Sequence, residues 1–155
     1  MKRALVFSVL FSVLCATTIN IPSDYTTIQE GIDASVDGDT VLIAQGTYYE
    51  NLILEKEIAL ASHAINDDLG SDWLDNLTIQ ETIISGAQEA SDPNKGSCLV
   101  IRDGNIQPTI IGLTFQNGAG TSMQRNNCGF IQKERSGGGI LIYNAYPTIM
   151  YNRFL

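Results

Sequence analysis

The feature that most constrains this chain is a pattern that occurs twice. Leu99-Val100-Ile101 leads through a turn containing Asn105 to Pro108-Thr109-Ile110, and Leu141-Ile142-Tyr143 leads through Asn144 to Pro147-Thr148-Ile149. The two Pro-Thr-Ile copies stand 39 residues apart. Residues 118–136 between them read as an insertion, and removing it leaves about 20 residues, the length of one solenoid coil. Short strands of this kind stack on their equivalents about 4.8 Å apart, with alternate residues pointing inward. Asn sits where the backbone must turn sharply, and each Pro sits at a strand entry, where a missing N–H is tolerated. An antiparallel sandwich would want tight two-residue hairpins, and the chain has no clear run of them.

The stretch Asp24–Leu54 differs from the rest. Thr27 and Glu30 fit a capping box, in which each side chain satisfies a free backbone donor at a helix start. Ile28, Ile32 and Val36 then form one apolar stripe, which predicts a helix over Thr27–Val36, stopped by Gly38 between two aspartates. Gly31 weakens such a helix by about 1 kcal/mol relative to Ala, so close packing permits or needs it. A helix this short is not stable alone and must lie on something apolar.

The apolar partners follow. Strands are expected at Thr18–Ile21, Val41–Ala44, Leu52–Leu54, Ile58–Ala61, Thr78–Ile84, Cys98–Ile101, Thr109–Phe115, Ile140–Tyr143 and Thr148–Tyr151. Gln45-Gly46-Thr47 and Glu55-Lys56-Glu57 read as turns, and residues 66–76 as an acidic loop.

Composition bounds location and partners. The net charge of −8 argues against nucleic acid or an anionic membrane as partner. Lys2 and Arg3 precede an apolar run, Ala4–Leu14, too short to span a bilayer, and Cys15, Ala16 and Thr17 supply small residues for cleavage. Residues 1–16 are therefore expected to be a signal peptide, and 17–155 a secreted or cell-surface domain with no membrane span. Leu14 before Cys15 is a poor lipoprotein signal. Cys98 and Cys128 would then meet an oxidising compartment, where they either pair or stay as two buried thiols.

Three segments carry a further resemblance. Tyr25–Ile32, then Gly38-Asp39-Thr40-Val41, then Gly46–Asn51 resemble the start of right-handed parallel β-helix proteins of the pectin lyase-like superfamily. Thr109–Gly118 and Gly137–Ile140 resemble the repeating coils of that superfamily. The resemblance implies an all-β fold, a right-handed parallel β-helix (solenoid), with a short N-terminal capping α-helix that covers strand edges. Gly46-Thr47-Tyr48-Tyr49-Glu50 also resembles the first motif of pectin methylesterases, but no later motif carrying the aspartates of those enzymes is found. Glu50 is accordingly expected to be a solvated or turn-bonding residue.

Few constellations suggest chemistry. Asp67, Asp68, Asp72 and Asp75 raise calcium as the only cofactor candidate, although their spacing fits no EF-hand and a solvated loop is the default. His63, the single histidine, reads as a turn or surface residue, and Gly137-Gly138-Gly139 as backbone turning into a strand. Arg125, Lys133 and Arg135 lie in the insertion, and an insertion can wall a groove along a parallel sheet. They are the candidate ligand residues for an extracellular polysaccharide, against a solvated loop. The expected role is a scaffold or carbohydrate-contacting module without a complete active site. The rivals are the N-terminal fragment of a polysaccharide lyase, hydrolase or esterase, and a nonfunctional gene remnant. The sequence shows no polar cap after residues 148–151, so a truncated β-helix and self-association through that end are also expected.

Overall fold

The computed structural model describes residues 15–86, 96–127 and 130–155. The chain opens with β1 (Thr18–Ile21) and α1 (Ile28–Ala34), then runs through β2 (Thr40–Ile43), β3 (Gly46–Tyr48), β4 (Leu52–Leu54) and β5 (Ala59–Ser62). A helical excursion follows, with 3-10 turns at His63–Asn66 and Trp73–Asp75 and the helix α2 (Leu77–Glu81). Next come β6 (Thr82–Ser85), β7 (Leu99–Ile106), β8 (Thr109–Ile111) and β9 (Thr114–Gln116). The hairpin β10 (Thr121–Asn127) and β11 (Phe130–Ser136) precedes β12 (Ile140–Ala145), β13 (Thr148–Met150) and β14 (Arg153–Phe154).

Three parallel sheets result. The first has the order β1-β2-β5-β8-β13, the second β3-β6-β9-β14 and the third β4-β7-β12. From β2 onward the chain visits the first, second and third sheet in turn, and β10–β11 alone among the described strands pairs antiparallel, outside that order. Thr148 pairs with Thr109 and Ile149 with Ile110, so the two Pro-Thr-Ile copies lie side by side. Asn105 and Asn144 both take left-handed backbone, with φ of 56° and 51°. In the third sheet, however, Ile140 pairs with Leu99 and Leu141 with Val100. The repeat as read from sequence set Leu141 against Leu99, one residue off, and a one-residue slip exchanges the two faces of a strand.

Inward positions are filled by Val41, Leu60 and Ile110 in the first sheet, Ile84 and Phe115 in the second, and Leu52, Leu54, Leu99 and Ile101 in the third. Burial of each such side chain is worth roughly 1.5–3 kcal/mol, which offsets an ordering cost of about 1–2 kcal/mol per backbone residue.

The helix α1 is shorter than its periodicity predicts. The capping box of Thr27 and Glu30 is present, and Ile28 and Ile32 are buried. Val36 instead lies past the helix and is 49% exposed. Competing hydrogen bonds end the helix: Ser35 Oγ donates to Ile32 O at 2.7 Å, and Asp39 Oδ2 accepts from Val36 N at 2.8 Å. The other carboxylate oxygen of Asp39 accepts from Thr17 N and Thr17 Oγ1, so one side chain ties the turn after α1 to the start of β1. Gly31 faces the core. A Cβ there would stand 2.8 Å from Ile21 Cδ1 and 3.4 Å from Val41 Cγ1.

Two further expectations are corrected. Thr78–Ile84 is not one strand. Its first half is α2, because Asn76 Oδ1 accepts from Ile79 N and Thr82 Oγ1 donates to Thr78 O, while Ile79 is buried. Thr109–Phe115 is two strands, β8 and β9, divided at Gly112. That residue has φ +72°, and a Cβ on it would stand 2.7 Å from Ser62 Oγ.

Candidate functional site

The third sheet presents an outward row as well as an inward one. Val100 and Arg102 of β7 alternate with the buried Leu99 and Ile101, and their register partners on β12 are Leu141 and Tyr143. Val100 and Leu141 thus sit side by side as an apolar floor, with Arg102 beside Tyr143 as a polar and aromatic continuation. Tyr143 is 51% exposed.

The hairpin walls this row. Thr121, Ser122, Met123 and Gln124 of β10 face Val100, Arg102, Asp103, Leu141 and Tyr143 across a groove of about 350 Å³. Its base is fixed by Ser97, whose N–H donates to Thr121 Oγ1 at 3.1 Å and whose hydroxyl lies 2.8 Å from the same atom. Gly120 N donates to Gly96 O nearby. Both Ser97 and Thr121 are buried, so these bonds are shielded from competing water.

A second hollow of about 280 Å³ adjoins it, lined by Gln29, Ile32, Asp33, Ile53, Glu55, Lys56 and Arg102. Arg102 lines both. Its Nε donates to Glu55 Oε1 at 2.7 Å and lies 3.3 Å from Asp103 Oδ2. Both contacts run through Nε, and a guanidinium carries four further N–H donors in a planar fork. Lys56 is committed elsewhere, since its Nζ donates to the carbonyls of Ile32, Asp33 and Ser35 at 2.6–2.8 Å.

The residues predicted from sequence are placed as follows. Arg125 pairs with Gln132, Lys133 with Gln124, and Arg135 with Ser122 across the hairpin. The side chains of Arg125 and Lys133 lie outside the described residues. Arg135 is exposed, and its Nη1 donates to Ala119 O at 3.4 Å. The insertion does wall a groove, and the described lining comes from Thr121–Gln124 and from the sheet itself. Sequence reading missed Arg102 and Tyr143. The signal that was available is alternation in β7 and β12, hidden because Val100 and Leu141 make the outward row as apolar as the inward one.

The remaining candidates are structural or peripheral. Glu50 Oε1 accepts from Ile28 N at 2.9 Å and Oε2 from Gln29 N at 3.0 Å, so its carboxylate is bonded to the start of α1. His63 is exposed at the head of a 3-10 turn. Asp67 accepts from Asn76 Nδ2, Asp72 accepts from Ser71 Oγ, and Asp68, Asp72 and Asp75 border a shallow cleft with Trp73. Among the described residues, no three His, Cys, Asp or Glu side chains gather as a metal would require. Cys98 is buried, its Sγ donates to Gln116 O at 3.1 Å, and burial pushes its thiol pKa up. Cys128 lies outside the described residues. No described helix is long and apolar enough to cross a membrane.

Protein-family models, curated proteins and solved structures were all compared with this chain, and none matches it.

Proposed function

We propose that the chain is a secreted or cell-surface scaffold of the right-handed parallel β-helix kind, and that it contacts polysaccharide through the groove between β10 and the third sheet. The solenoid reading is supported by the strict first-second-third visiting order of the parallel strands. The right hand follows from the strong preference of parallel crossovers for that sense. The helix α1 is the cap of this solenoid: the Gln29 side chain accepts from Ile53 N and donates to Ile53 O, satisfying the open edge of β4.

The observation that carries the functional reading is the pairing of Tyr143 with Arg102 over an apolar floor. A pyranose offers an apolar face for an aromatic ring and equatorial hydroxyls for charged and amide groups. Tyr143 supplies the ring, and Arg102, Asp103 and Gln124 supply the polar partners. Among the described residues lining the groove and the adjoining hollow, Asp33, Glu55 and Asp103 outnumber Arg102, the one cation there not committed to carbonyls, so this surface suits a neutral glycan better than a polyanion. We assign no catalytic residue. Titration calorimetry with neutral plant or bacterial polysaccharides and with polygalacturonate tests the reading. Neutral glycan should bind, and Tyr143→Ala should weaken it on the order of tenfold, or about 1.4 kcal/mol. Binding unchanged by both Tyr143→Ala and Arg102→Ala would overturn the groove as the site.

A further inference from the structure

The pairing of β7 with β12 slips at one point. Tyr143 pairs with Arg102 and Ala145 with Ile106, so Asn144 of β12 stands opposite three residues of β7, Asp103, Gly104 and Asn105. Asn105 and Asn144 make the same left-handed corner in the two strands, which leaves Asp103 and Gly104 as additions to β7. Both additions also take positive φ, 64° and 138°. Glycine adopts such backbone freely, but at Asp103 it is unfavourable, and β12 turns the same corner with Asn144 alone. What the bulge changes is a direction. Neighbours in a regular strand point to opposite faces, so after the buried Ile101 and the outward Arg102 the next side chain would point into the core. The left-handed step turns Asp103 outward instead, as bulges re-aim side chains elsewhere. Asp103 is exposed, lines the groove with Arg102, Val100, Leu141 and Gln124, and brings its Oδ2 to 3.3 Å from Arg102 Nε.

We infer that Arg102 and Asp103 together read a pair of vicinal hydroxyls, so that the groove selects 1,4-linked over 1,3-linked neutral pyranose chains. The inference rests on the glycan reading of this groove. A hydroxyl both donates and accepts, a carboxylate only accepts and a guanidinium only donates. Neighbouring ring hydroxyls hold their oxygens about one hydrogen-bond length apart, the scale on which Arg102 and Asp103 are set side by side. One hydroxyl then donates to Asp103 while its neighbour accepts from an Nη group of Arg102, two charge-assisted bonds made at once. Glu55 holds Arg102 from the other side through Nε at 2.7 Å, which anchors the guanidinium for this task. In a 1,4-linked chain every unit keeps its 2- and 3-hydroxyls free and adjacent. In a 1,3-linked chain each internal unit keeps its 2- and 4-hydroxyls, separated by the linkage oxygen, and offers no such pair. A carboxylate or a guanidinium acting alone would bind hydroxyls without telling the two linkages apart.

The test is titration calorimetry of the full chain with three hexasaccharides of equal length. Cellohexaose and mannohexaose are 1,4-linked, with trans and cis 2,3-hydroxyls respectively, and laminarihexaose is 1,3-linked. At least one of the first two should bind about tenfold tighter than laminarihexaose. Asp103→Gly suits the left-handed backbone, so it should keep the circular dichroism melt of the unaltered chain while bringing that ratio to about one. Should Asp103→Gly not fold, Asp103→Asn takes its place, since Asn also tolerates this backbone, and it should narrow the ratio severalfold. Equal affinity for the two linkages overturns the inference, as does a preference that survives loss of the Asp103 carboxylate. Either result leaves the groove standing as a glycan site. If none of the three sugars binds, the glycan reading of the groove falls, and the inference with it.

Discussion

The carboxylate of Glu50 accepts hydrogen bonds from the backbone N–H groups of Ile28 and Gln29, twenty-two and twenty-one residues away. It supplies from the β3–β4 turn the acceptors that the first turn of α1 lacks internally. Lys56 does the converse at the other end, where its ammonium holds the carbonyls of Ile32, Asp33 and Ser35. Negative charge at the N-terminus and positive charge at the C-terminus both complement the helix dipole. Glu50→Ala should therefore destabilise the fold by about 1–2 kcal/mol, with Glu50→Gln intermediate. Lys56→Met should cost a similar amount, and denaturant melts monitored by circular dichroism measure both. Unchanged midpoints for both variants would show that α1 is held by its apolar face alone.

Gly112 carries a second prediction. Its left-handed φ and the short approach of Ser62 Oγ leave no room for a methyl group. Gly112→Ala should cost about 1–3 kcal/mol. At Gly31 two effects oppose: Ala gains about 1 kcal/mol of helix propensity, and its methyl meets Ile21 Cδ1 in a packed core. The packing cost of overfilling, about 1–3 kcal/mol, should win, so Gly31→Ala should also lower the midpoint.

Asp39 sets an acid limit. Hydrogen bonds from Val36 N, Thr17 N and the Thr17 hydroxyl hold its carboxyl below the usual carboxylate range. A depressed pKa in the fold means stability that is fully present above the unfolded value, about 3.9, and lost as pH falls through the folded one. Asp24 and Glu30 are shifted the same way, Asp24 mainly by the Asn20 backbone N–H and Glu30 by the Thr26 hydroxyl. Melting temperature should thus stay level down to about pH 5 and fall below about pH 4. Asp39→Asn should lower it at neutral pH and shallow that fall. An acid limb identical in Asp39→Asn would contradict this role.

The hairpin depends on Ser97. Removing its hydroxyl in Ser97→Ala takes a buried partner from Thr121 Oγ1, at a cost of about 1–3 kcal/mol if the group is left unpaired. The loosened wall should weaken glycan binding while the three parallel sheets persist. Faster amide exchange confined to residues 121–136, together with reduced affinity, is the expected signature.

Parts of this architecture were legible in sequence because they are local. The capping box of Thr27 and Glu30, the Pro-Thr-Ile stack and the left-handed Asn105 and Asn144 each depend on residues close in the chain or on an exact repeat. Other parts were hidden by competition or distance. The strand-like composition of Thr78–Ile84 hid α2, which a side chain outside that stretch, Asn76, initiates. The β10–β11 hairpin has no apolar alternation in TSMQRNN to announce it. The groove needed the fold, since an outward Val100 and Leu141 look like core residues until the register is known. The bond from Glu50 to α1 was unreadable for the same reason.

The proposed solenoid requires equivalent strands to stack in parallel and in register. Through-space proton contacts in the NMR spectrum of the folded chain test it most directly. Contacts are expected to link Thr148 with Thr109, Ile149 with Ile110, and Thr109 with Ala59, in the staggered amide-to-Hα pattern of parallel strands. Close Hα–Hα contacts across the same strands, the mark of antiparallel pairing, or a register displaced by one residue, would contradict it.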